Sequence, residues 1–186
     1  MAYHARECLI SIKTLTQRLY AKNPRHEPDP VQRQKKLDRL FADDKPTGEL
    51  SDQTSHELLT RAFAANAVYP DRVYPLGMGL VKSIREAYGL DEQYALVTGM
   101  QIPLERLERL HHNISQVNWR LKTYRDQTGE LLFQTNAAGE NGYINMGYEV
   151  LMTEILTRIK DDIHLRGGLA EKYAFTMSTL FLSILL

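Results

Sequence analysis

Leu107, Leu110, Ile114, Val117, Leu121 and Tyr124 follow one another at steps of three, four, three, four and three, with charged or amide side chains nearly everywhere between them. That spacing belongs to one face of an α-helix. A strand alternates its side chains every second residue and cannot present it. The spacing therefore predicts one long amphipathic helix over about 103–127, bounded by Pro103 and Gly129. Such a seam gains little by standing in water, so something apolar must cover it.

A second long helix is expected over about 143–166, where Tyr148, Leu151, Met152, Ile155, Leu156, Ile159 and Ile163 share a face and Gly167 with Gly168 ends the run. Two arrangements satisfy both seams. The helices pack antiparallel within one chain, or each pairs with its copy in a homodimer.

Shorter helices fill in around this pair. The first covers about 2–20, with Cys8, Ile12, Leu15 and Leu19 on one face. Pro24, Pro28 and Pro30 make 21–30 an extended connector, because each removes a backbone donor and pushes its predecessor out of helical geometry. A second short helix follows over about 31–42. Thr54 and Glu57 have the spacing of a capping box, and Leu58, Leu59, Ala62, Phe63 and Val68 follow as the apolar face behind it. The prolines and glycines of YPDRVYPLGMG, 69–79, read as a loop, with helix resuming over 80–88 until Gly89. Residues 91–102 suit a short helix or a short strand. LLFQTN, 131–136, suits a short strand or an extended lead, and a last helix completes the chain over 169–186. The fold class is thus mainly α, a multi-helix bundle forming a single domain over 1–186, with one short β-strand near 97–102 as a variant.

Composition narrows the function classes. With 23 basic and 23 acidic residues among 186, net charge supplies no bulk attraction to nucleic acid or to anionic membrane. The single cysteine, Cys8, excludes an internal disulfide framework and fits a cytoplasmic setting. No secretory signal is read in MAYHARECLISIK. The uncharged run AFTMSTLFLSILL, 174–186, falls short of the roughly 20 residues that cross a bilayer, so a buried helix is expected in place of a membrane contact.

Motifs of catalysis and cofactor binding are not found: there is no phosphate loop, nucleophile elbow or zinc signature, and no cofactor is expected. Glu108 with His111, and Asp161 with His164, have the three-residue spacing of a di-iron site but lack the further inward glutamates. Cys8 lies in an apolar stripe and reads as core. Trp119 lies on the side of its helix opposite the seam, where the protein's own core, or else a protein partner, is expected to cover it.

The run VTGMQIPLERLERL, 97–110, resembles the start of a ribbon-helix-helix transcription factor. The resemblance implies a short strand paired with its twofold mate, Gln101 directed at the major groove of double-stranded DNA, Met100 and Ile102 facing the core, and Leu107 and Leu110 packing on the mate. It departs from that family at Val97 and Gly99, which have no hydrogen-bonding side chain, and in a seam that continues without a glycine turn until 129.

Local charge points the same way. Arg33, Lys35, Lys36 and Arg39 cluster on the second helix, and Arg106, Arg109, Arg120, Lys122 and Arg125 make the outer face of the heptad helix basic. The expectation is a non-enzymatic, cytoplasmic, homodimeric DNA-binding transcriptional regulator. Its alternative is a helical interaction or scaffold protein, with the seam, Trp119 and the carboxyl-terminal apolar helix as contact surfaces.

Overall fold

The computed structural model describes residues 2–42, 46–65, 70–91, 102–135 and 147–184, with side chains from Tyr3 and, in the last helix, as far as Gly167, and six helices satisfy most of the backbone groups of those residues. Helix α4, Val73–Tyr88, is the axis. Four helices pack on it, α1 (Ala2–Lys22), α2 (Pro30–Leu40), α3 (Ser55–Phe63) and α5 (Leu104–Thr123), while α6 (Gly147–Ile184) packs on α1 and α5. No strand forms among the described residues beyond a single antiparallel bridge, Arg125 to Leu131. The chain is mainly α, as its periodicity implies.

The central helix begins seven residues before the sequence places it, because the loop reading of 73–79 took Pro75, Gly77 and Gly79 as breakers. Pro75 stands third in the helix, in a turn whose N–H groups have no intrahelical acceptor anyway. The Asp71 carboxylate accepts from the Val73 and Tyr74 backbone N–H groups at 2.9 and 3.1 Å and closes that turn. The glycines provide clearance for neighbouring helices. A Cβ on Gly77 would lie 3.1 Å from Leu40 and Thr16, and one on Gly79 would lie 2.9 Å from Leu59. Thirteen of the sixteen residues of α4 are buried, so close approach on several sides outweighs the helix propensity that glycine forfeits.

Helix ends follow local chemistry closely. Asp29 caps α2 through its bond from the Val31 N–H, with Pro30 at the first helical position. Thr54 and Glu57 form the expected capping box at α3. Gly89 ends α4 with φ 62°, a left-handed geometry that costs a glycine little. Val68 lies outside the described residues.

The heptad seam is consumed inside the chain. Leu107, Leu110, Ile114, Val117 and Leu121 are all buried in one core with α1, α4 and α6. Helices α5 and α6 run antiparallel, for Lys122 pairs with Glu149 at 2.8 Å and Tyr148 donates to Asn118 at one end, while Arg166 bonds the Ile102 carbonyl at the other. The intrachain arrangement is therefore the one adopted, and the expectation that Leu107, Leu110, Ile114, Val117 and Leu121 form an interaction surface is corrected. Tyr124 lies one residue past the helix, half-buried, edge-on to Phe63 at 5.7 Å between centroids.

Gly167 and Gly168 do not end α6, which runs unbroken for 38 residues where two helices were expected. Glycine weakens a helix by about 1 kcal/mol relative to alanine but stops it only where the backbone turns left-handed, and Gly167 is not among the positive-φ glycines. A Cβ there meets nothing within 4 Å. Gly167→Ala is expected to stabilise the protein by up to about 1 kcal/mol in thermal or urea unfolding; a loss of stability would mean that Gly167 terminates the helix after all.

Helices α1 and α6 also run antiparallel, with Ala5, Cys8, Ile12, Leu15 and Leu19 facing Tyr148, Met152, Ile155 and Ile159 in the common core. A buried polar tie crosses three helices here. Asp162, fully buried on α6, lies 2.8 Å from His4 Nδ1 and accepts from the Tyr88 hydroxyl at 2.8 Å.

After α5 the chain turns at Asp126–Gly129 and folds back, the Leu132 N–H donating to the Tyr124 carbonyl at 3.0 Å, with Leu132 and Phe133 buried in place of a strand. The former connector, 21–30, clamps this segment: Asn23 donates to the Gln134 carbonyl and Lys22 to the Thr135 carbonyl. His26 is buried between the Pro70 and Leu132 carbonyl oxygens, each 3.1 Å from a ring nitrogen. Burial holds its pKa below the ordinary imidazole value, against the pull of those two carbonyls. An unfolded chain therefore binds the proton first, and stability falls as pH drops through the ordinary histidine range. Unfolding free energy measured between about pH 7 and about pH 5 should decline less steeply in His26→Gln than in the parent; equal slopes would contradict this.

Candidate nucleic-acid interface

The basic residues singled out in the sequence separate into two groups in space. On α2, Lys36 sits between Glu27 at 2.6 Å and Asp71 at 2.7 Å, and Arg33 donates to the Glu27 and Pro28 carbonyls. These two hold the proline-containing connector onto α2. They are structural cations, which corrects their reading as phosphate contacts, while Lys35 and Arg39 are exposed. Helix α2 meets α4 near Gly77, whereas the basic residues of α5 meet it near Arg85–Gly89, roughly 15 Å further along its axis at 1.5 Å per residue. Gln101, with Met100 and 97–99, lies outside the described residues. Ile102 is half-buried against the core.

Along α5 the structure assembles a second stripe. Arg106, Arg109, Asn113, Gln116 and Arg120 each stand one residue before a seam position, and so repeat its spacing about 100° around the helix. The stripe is about 21 Å long at 1.5 Å per residue. Arg109, Asn113 and Gln116 are exposed, and Arg106 and Arg120 are half-buried. Arg120 lies over the rings of Phe63 and Tyr124, 5.8 and 5.5 Å from their centroids, and the Gln116 amide lies 2.8 Å from His112 Nε2.

The amino-terminal half of this stripe borders an open cleft of about 540 Å³, walled by α5, the end of α4 and the start of α3. Ser55, Ser83, Arg85, Glu86, Asp91, Arg106, Arg109 and Asn113 supply its polar lining, and Ala87 and Leu110 part of its apolar wall. Arg85 donates twice to Asp91 Oδ1, at 2.9 and 2.6 Å, and Ser55 donates to Glu86 at 2.8 Å. Among the described residues the lining carries three arginine and two carboxylate side chains.

Trp119 is 57% exposed, in edge contact with Tyr124 at 5.6 Å. The expectation that the protein's own core covers it is corrected, because the main packing of α5 is on α4 and α6 and the side that carries Trp119 stays open among the described residues. Lys122 and Arg125, also expected on this face, are exposed and bonded to Glu149 and to the Gly129 carbonyl. Burial pushes the Cys8 thiol up to about 12, which leaves no thiolate for nucleophilic work near neutral pH. Among the described residues no three histidine, cysteine or carboxylate side chains are grouped to hold a metal, Glu108, His111, Asp161 and His164 included.

Sequence reasoning missed Asn113, Gln116, Ser55, Ser83 and Arg85. The first two carry a signal, their fixed offset from the seam. The other three come from α3 and α4 and are joined to α5 only by packing. No protein-family model, curated protein or solved structure matches this chain. Among the described residues no helix is long and apolar enough to cross a membrane.

Proposed function

We propose that the protein is a DNA-binding transcriptional regulator without enzymatic activity of its own, acting in the cytoplasm, with α5 as the contacting helix. One observation carries this: Arg106, Arg109, Asn113, Gln116 and Arg120 share one face of α5, on which Arg109, Asn113 and Gln116 are exposed. Arginine matches guanine and phosphate bidentately, and asparagine and glutamine match adenine, so the set combines base-edge readers with phosphate anchors. A helix of this diameter enters the major groove of double-stranded DNA.

Fluorescence anisotropy on random duplex DNA at two salt concentrations tests the proposal. Binding should weaken steeply as salt rises, and Arg109→Ala should reduce affinity and make the salt dependence shallower by about one phosphate contact. The paired control Lys35→Ala with Arg39→Ala, on the other flank, should leave it nearly unchanged. Binding that is undetectable at low salt, or indifferent to salt, would remove this reading.

A second reading, a helical interaction protein, is favoured by Trp119. An exposed tryptophan beside tyrosine and arginine has the composition of a protein-contact hot spot. If a homodimer forms, this face and not the seam is available to it, and a Trp119→Ala variant that lowers the mass in solution would favour that reading over DNA.

A further inference from the structure

The cleft between α4 and α5 is a different object from the stripe it borders. Its volume, about 540 Å³, falls in the range of small-ligand pockets, of the order of 300–1,000 Å³, and is built by residues from three helices far apart in the sequence. Buried Leu110 and Ala87 give it apolar wall. Arg106 and Arg109, three residues apart on α5, both line it, Arg109 with its Nε donating to the Glu105 carbonyl at 3.3 Å, and the exposed Asn113 stands one turn beyond. On the opposite wall Arg85 is held in place by Asp91, and Glu86 accepts from Ser55.

We propose that this cleft binds a small phosphate-bearing ligand, with the phosphate at Arg106 and Arg109 and the ligand's hydroxyl or amine groups toward Glu86 and Asp91. The charge pattern selects that chemistry. A phosphate monoester carries about two negative charges and three acceptor oxygens near neutral pH, enough for two guanidiniums, whereas a single carboxylate matches one. Carboxylates on the far wall accept from the ligand's neutral or cationic donors. Because Arg106 and Arg109 also belong to the α5 stripe, occupation of the cleft and contact of that stripe with DNA compete for the same side chains. This second consequence rests on the DNA reading; the ligand site does not.

Isothermal calorimetry and thermal unfolding of the whole protein with inorganic pyrophosphate, at ionic strength held constant with chloride, test the site without any DNA present. Saturable binding and a raised Tm are expected, with affinity lowered about tenfold by Arg109→Ala, the loss of one charge-assisted contact. Arg109 is exposed, so that variant should fold as the parent does. Gln116→Ala, on the stripe but outside the cleft, should leave pyrophosphate binding unchanged while weakening DNA. A response no larger than chloride's, or one that survives Arg109→Ala, would overturn the proposal. Pyrophosphate binding that passes while DNA binding is nil would sink only the nucleic-acid reading, so the two failures are distinguishable. Where both bind, pyrophosphate should displace duplex DNA.

Discussion

Asp71→Ala is expected to lower the unfolding free energy by about 3 kcal/mol, as removal of one partner from a buried ion pair and helix cap does. Asp71 is 2% exposed and precedes the helix on which the other helices converge. One of its oxygens accepts from the Val73 and Tyr74 N–H groups, the other from the Tyr20 hydroxyl at 2.8 Å and from Lys36 at 2.7 Å. Alanine removes the start of α4 and the acceptor that joins α1 and α2 to it. Lys36 retains Glu27 and some water, which keeps the loss at the low end for a buried pair. Asp71→Asn preserves the cap oxygen and loses the charge, so it should cost clearly less. Urea unfolding measures both. An alanine variant within about 1 kcal/mol of the parent would show that the carboxylate organises nothing.

Ile114→Ala should cost about 3 kcal/mol, within the range for truncating a large aliphatic side chain in a packed core. Ile114 is 1% exposed at the middle of the seam, with Leu110 and Val117 on either side of it on the same face. Trp119→Ala, five residues along the same helix, removes a larger side chain and should change stability by no more than about 0.5 kcal/mol, because its site is wet. The contrast in denaturant unfolding is the test. Comparable losses would place Trp119 in a core and return the seam to an open question.

Much of the frame was legible in the residues. The seam of α5, the apolar faces of α1 and α6, and the capping box of α3 were read correctly because each signal is local: helical period and end-capping are set by side chains within one or two turns. The basic residues Arg106, Arg109 and Arg120 were legible on one face of α5 for the same reason, whereas Lys122 and Arg125 stand apart from them. Lys36 and Arg33 were misread because their partners, Glu27, Asp71 and the carbonyls of the connector, are settled only when the chain folds back on itself.

What this sequence determined alone is which faces of which helices must be dry, since that pattern is written every three or four residues and needs no neighbour to be read. What only the tertiary structure decided is the meaning of Gly77, Gly79, Pro75 and the single tryptophan. Gly77 and Gly79 serve within the helix because Thr16, Leu40 and Leu59 come close enough that a Cβ would crowd them, Pro75 is helix because Asp71 closes the turn around it, and Trp119 is exposed because its side of α5 stays open among the described residues. Those outcomes depend on distances between elements, and a residue carries no record of the distance to a neighbour it meets only after folding.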